Sequence, residues 1–269
     1  MSRVLPLIGF TVRELISQRV YRVVLAACML VPWLLLIPAS LFMLDIGKVV
    51  IDLLFTALHA LLLGFLFFLA APLISRDIEQ GSCHTFLTLP MPRSHYLWAR
   101  FAGLIAALVP LLLVYTASSA LAIAFMKSQF AAYVAASAIT SFVSGAALIV
   151  LPYLALSAVL FLIAAWATGL PETMVFLFSV WLLCWSLPPV LGALEESKVA
   201  AKTPTWLHTI LQMVNQLLPD LSSSRISLYL AHGKTLGAEA VTGYCLQHLA
   251  YALLAMMLAI ILFKRRDLT

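Results

Sequence analysis

The sequence predicts an all-α membrane protein. Six transmembrane helices follow an N-terminal amphipathic helix in the membrane surface, with a short cytoplasmic helix between spans 2 and 3. Three observations predict this. Hydrophobic residues make up 64% of the 269 residues and charged residues only 10%, against about 25% charged in a soluble domain. Mean hydropathy is +1.07. Apolar runs of membrane length recur along the chain, and about 20 apolar residues are what a helix needs to cross hydrocarbon. No polar stretch is long enough to fold alone, so residues 1–269 read as one membrane domain.

Residues 1–20 set Val4, Leu5, Ile8, Val12, Leu15 and Ile16 among Arg3, Arg13, Glu14 and Arg19. That mixture reads as an interfacial helix with its arginines near lipid headgroups. The first long apolar run exceeds a signal-peptide core and reads as a span, with no cleavable leader evident. Spans are expected over 21–44, 53–74, 101–126, 144–168, 171–194 and 241–263. The turn DIGKVVID separates the first two, and residues 131–143 form a lead-in or tilted extension to the fourth. Segment 195–240 is polar but carries Trp206, Ile210, Met213, Val214 and Leu217 at helical spacing, the mark of a second amphipathic helix, on the outer face.

Net charge is +5. The basic residues cluster beside the spans, which points to membrane orientation and not to nucleic acid. With both termini inside, ten Lys and Arg residues fall on the cytoplasmic side and six, including Lys48, Lys127, Lys202 and Arg225, outside. Both termini and the loop 75–100 are therefore expected in the cytoplasm.

That loop, SRDIEQGSCHTFLTLPMPRSHYLWAR, is the most polar stretch of the first half. Arg76, Asp77 and Glu79 end the second span at the membrane face, and Gly81 permits a sharp change of direction. Ser82 can cap a short helix whose edge is Phe86, Leu87 and Leu89. Pro90 and Pro92 stop it, and Ser94 is expected to cap the helix that carries Tyr96, Trp98 and Arg100 into the third span. A helix–turn–helix of this kind suits docking into a groove on a soluble partner.

The order Glu79-x-Gly81-Ser82, then Leu87, Pro90, Arg93, Tyr96 and Arg100, resembles the first cytoplasmic loop of ABC-2 type transporter permeases. Six spans behind an amphipathic helix match that family's layout. Ser82 stands where Thr is commoner, and His84 and His95 are not family markers. The resemblance implies a permease subunit of an ATP-binding cassette exporter in a prokaryotic cytoplasmic (inner) membrane. It would pair with a second permease subunit, the same or a relative, and with two copies of a separate ATPase subunit. The segment around Ser82 to Leu89 would be the coupling helix. Glu79, Gly81, Ser82, Phe86, Leu87, Pro90 and Arg93 would couple to the ATPase. ATP and Mg would sit on that partner; this chain has no GxxxxGK[ST] run and is expected to bind no cofactor itself. The cargo is unidentified. Spans without charge at their centres argue against ion coupling, and their aromatic character fits an amphiphilic or lipid-like solute.

Other readings compete. A membrane anchor or assembly factor without transport of its own, including one serving copper-enzyme maturation, would share the composition. Ser144 with His248 would be the pair of an intramembrane enzyme, but Phe142-Val143 stand where such an enzyme has its glycine motif, and small residues more often serve helix packing. Cys245 and His248, with Met256, Met257 and His59, would be the residues of a copper path, yet no ladder of paired Met or Cys exists. His59 reads as a hydrogen-bonded bundle residue. Cys28, Cys83, Cys184 and Cys245 are scattered and suggest neither disulfides nor a zinc site. Glu172, just after Pro171, complements the start of the fifth helix, with a second ATPase contact as the alternative.

Overall fold

In hydrocarbon only a helix satisfies its own backbone hydrogen bonds, so the long apolar runs have one local solution. The computed structural model describes residues 4–41, 46–79, 92–130, 134–135, 137–195, 205–219, 221 and 237–265. Among these the regular structure is helical, with no strand. In chain order the helices are α1 (Val4–Ser17), α2 (Arg19–Leu34), α3 (Leu36–Ala39), α4 (Ile46–Phe65), α5 (Ala71–Glu79), α6 (Arg93–Gln129), α7 (Ala138–Trp166), α8 (Leu170–Glu195), α9 (Thr205–Leu217) and α10 (Ala238–Arg265). A π-helical turn, Leu66–Ala70, joins α4 to α5.

Six stretches are long and apolar enough to cross a membrane: Arg19–Ala39, Ile46–Glu79, Arg93–Gln129, Ala138–Trp166, Leu170–Leu194 and Glu239–Arg265. They are spans 1 to 6 below, and the chain is a multi-pass helical membrane protein. Each expected span is present. Spans 2 and 3 run further than their apolar runs, because Asp77, Tyr96 and Arg100 continue the helices while pairing inside the protein.

Span 4 is the central post. Its most apolar window is 67% buried, against 22% for spans 1 and 5. Its most extensive packing is with α10. Spans 1 and 3 are stitched by the Tyr21 hydroxyl donating to Ala107 O (2.9 Å) and Ser118 Oγ donating to Met29 O (2.7 Å). Spans 2 and 4 meet where His59 Nδ1 lies 3.2 Å from the Tyr153 hydroxyl, so His59 is a hydrogen-bonded bundle residue.

The N-terminal helix is amphipathic as expected, and one stripe of it packs against the bundle. Leu7, Thr11 and Leu15, at a spacing of four, are buried, and α1 packs on α6. Leu5, Phe10 and Ile16 remain exposed on other faces. The helix thus uses one stripe for span 3 and leaves another for lipid. The second amphipathic helix is α9, with Trp206, Ile210 and Met213 exposed.

One local expectation is corrected. Ser94 does not cap span 3; the helix starts at Arg93, behind Pro92 in extended conformation (φ −66°, ψ 144°), and no side chain caps it. The proline ring already holds the φ that helix initiation needs, and its carbonyl accepts the first bond, from His95 N at 2.9 Å.

Candidate functional site

The stretch that the sequence singles out is described up to Glu79 and again from Pro92. Its two roots stand on a buried charged cluster. The stripe Arg93, Tyr96, Arg100, Gly103, at helical spacing along α6, organises it.

Gly103 comes first, because it lets α1 approach. A Cβ there would stand 2.6 Å from Thr11 Cβ, closer than real carbons come, and 3.2 Å from Ile8 O, a tight contact. The missing side chain brings the Thr11 face of α1 against α6, and that closeness brings Glu14 within reach of Arg100.

Arg100 is 1% exposed. One guanidinium nitrogen meets Glu14 Oε2 at 2.6 Å and Thr11 Oγ1 at 3.1 Å; the other meets Asp77 Oδ2 at 2.6 Å. Thr11 passes its own proton to Leu7 O (2.9 Å) and so accepts from the arginine. The Tyr96 hydroxyl donates to the same Asp77 oxygen at 2.6 Å. Phe10 and Tyr96 place their rings 5.6 and 5.8 Å from the guanidinium carbon. A planar, permanently charged fork suits this division between two carboxylates on different helices; a lysine offers no such fork. The cluster joins α1, the end of span 2 and the start of span 3. A buried ion this well bonded stays charged, and removing one partner strands the rest.

Both roots of the loop also grip other helices. Glu79 Oε2 accepts the Leu170 amide (3.4 Å) at the start of span 5, where a carboxylate complements the exposed N–H groups. Glu172 closes the same turn, accepting the Thr168 amide and hydroxyl at 2.6 Å each, the capping expected of it. Arg93 donates to the carbonyls of Phe263 (3.5 Å) and Lys264 (3.4 Å), the last turn of span 6. Tyr96 stacks on Phe263, with ring centroids 6.2 Å apart and planes 17° apart. The described residues flanking positions 80–91 are thus tied to span 5 on one side, through Glu79, and to span 6 on the other, through Arg93. All these contacts lie at one end of the bundle, which we term the charged end.

Of the expected coupling residues, Glu79 and Arg93 stand here; Gly81, Ser82, Phe86, Leu87 and Pro90 lie outside the described residues. The hub itself, Arg100 with Asp77, Glu14, Thr11 and Gly103, was not read from sequence. The signal for it was the unbroken 93–96–100–103 stripe running into an apolar span.

The residues of the competing readings are engaged locally. Ser144 Oγ donates to Ser141 O (3.0 Å) one turn back in α7. His248 Nδ1 lies 2.9 Å from Tyr244 O in α10, its ring 4.2 Å from the Tyr244 ring. Among the described residues no three or more His, Cys, Asp or Glu side chains gather as a metal site would require. No protein-family model matches the chain, and no curated protein matches it.

Proposed function

We propose that this chain is the membrane subunit of an ATP-driven exporter of the ABC-2 type. It would lie in a prokaryotic inner membrane with its charged end and both termini in the cytoplasm. Loop 80–91 would present a short helix to a separate ATPase subunit, present in two copies with ATP and Mg bound, while a second permease subunit completes the membrane part. The observation that carries the reading is the anchoring of the two residues that flank that segment. A push on it acts on Glu79 and Arg93 together, and these hold the ends of spans 5 and 6. The same roots stand on the Arg100 cluster, which ties in α1, so a displacement reaches several helices without first melting the loop's attachments. Two packed arrangements biased by a nucleotide-driven partner are what alternating access requires. The residue order of the loop supports the same reading.

The test is a gentle detergent purification of the full chain from its native cells, with mass spectrometry of what stays bound. A nucleotide-binding ATPase in equal amount is the expected result. A preparation that repeatedly lacks one, in detergent and in lipid nanodiscs, would sink the proposal and favour the anchor reading.

A further inference from the structure

Spans 2 and 5 touch near the charged end, where α5 packs on α8. The Phe67 and Phe178 rings still meet further along, with centroids 6.3 Å apart. Beyond that point they part. The π turn Leu66–Ala70 lies at this level of span 2, a kind of turn that re-aims a helix. The result is a cavity of about 550 Å³ between α4, α7 and α8, in the half of the bundle away from the charged end. Ligand pockets commonly measure roughly 300–1,000 Å³.

The lining is patterned. From α4 come Asp52, Thr56 and His59, one face of a helix, with Asp52 about 10 Å above His59. From α8 come Trp181 and Trp185, stacked with centroids 6.2 Å apart and planes 16° apart. Tyr153 of α7, beside His59, forms the back wall. Asp52 and Trp185 are exposed, so the rim is open at both walls. Among the described lining residues the one formal charge is the Asp52 carboxylate, and no lysine or arginine joins it. Lys48, one turn before Asp52 on α4, is not among them.

Indole and phenol faces attract cations, and more strongly once water is excluded. A single carboxylate at the mouth adds to that attraction and repels an anion. We propose that this cavity binds an amphiphilic cation: a bulky apolar body carrying one positive charge, the body against Trp181 and Trp185 and the charge toward Asp52. Its use as the export substrate rests on the exporter reading above; the binding itself does not. Span 5 would link the two, because the helix whose start Glu79 holds is the one that carries both tryptophans.

The probes are tetraphenylphosphonium and tetraphenylborate, ions of matched size and opposite charge. Equilibrium dialysis against the purified full chain in dodecyl maltoside, a detergent without a charged head, measures each. The phosphonium is expected to bind saturably at one ion per chain and the borate only in proportion to the micelles. Asp52→Asn should weaken phosphonium binding by about five-fold, as loss of one partly screened charge implies. Trp185→Leu should weaken it by about three-fold or more. Both variants sit at an exposed rim, and elution and helicity like the parent's confirm that they fold. Equal uptake of both ions, no saturable uptake of either because a second copy of the chain covers the cavity, or indifference to both substitutions would overturn the proposal. Added phosphatidylcholine that displaces the phosphonium identifies a lipid ammonium head as the natural occupant; no displacement identifies a soluble cation. Saturable binding in a chain with no ATPase partner leaves the site standing and removes the exporter. An ATPase partner without such binding does the reverse.

Discussion

Arg100 ties three helices together through charge. It is the one cation between Glu14 and Asp77, on two different helices, and its removal strands Asp77, which is itself 7% exposed. Arg100→Leu is expected to cost about 3–5 kcal/mol, the range for breaking a buried pair by deleting one partner. A denaturation midpoint in nanodiscs measures it. Arg100→Lys should recover only part, since an ammonium bonds one carboxylate well and not two in a plane. Gly103→Ala tests the neighbouring contact. Its Cβ would meet Thr11 Cβ at 2.6 Å, so α1 must shift at a cost of about 1–3 kcal/mol. Faster amide exchange across Val4–Ser17, with spans 4 and 6 unchanged, is the expected pattern.

The elements were legible in proportion to how far local rules decide them. Six apolar runs longer than a bilayer needs leave little choice, and all six spans appear. Their ends were harder to read. Span 3 begins at Arg93 because Arg93 and Arg100 find partners on span 6, on α1 and at the end of span 2, and no pattern within residues 93–129 states those pairings. Ser94 misled for a simpler reason: a serine beside a proline matches the capping rule, but Pro92 already opens the helix. Glu79 and Arg93 were picked out as loop residues, whereas their grip on spans 5 and 6 is tertiary and invisible in the chain order. The cavity face on α4 left a trace in the order Asp52, Thr56, His59, yet nothing local says that α8 brings Trp181 and Trp185 opposite it. The loop carries its own prediction. On the exporter proposal, Gly81→Pro should uncouple ATP hydrolysis by the proposed ATPase from transport, leaving assembly intact; unchanged transport per ATP would count against the coupling role.

At the scale of the whole molecule, charge asymmetry sets the expected orientation. Cysteine introduced at position 95, beside the Arg93 root, should react with an impermeant maleimide only from the cytoplasm, and cysteine at position 202 only from outside. The reverse labelling would invert the assignment. Span 3 adds a constraint of another kind. Arg100 and Lys127 mark its two polar limits, 27 residues apart by their numbers, or about 40 Å along a helix axis. The hydrocarbon layer is about 30 Å thick, with headgroups bringing it to about 40–45 Å. An upright helix thus holds the Arg100 cluster at headgroup depth on one side and Lys127 at the same depth on the other. The helix is in effect a gauge for the lipid around it. In short-chain bilayers the cluster would be lifted toward bulk water, where its ion pairs weaken; in long-chain bilayers it would be drawn toward oil, where Glu14, a third exposed, loses its solvent. The unfolding midpoint in vesicles of graded acyl length should therefore pass through a maximum, and Arg100→Leu should flatten it. A chain built this way is sensitive to the composition of its membrane before any ligand arrives.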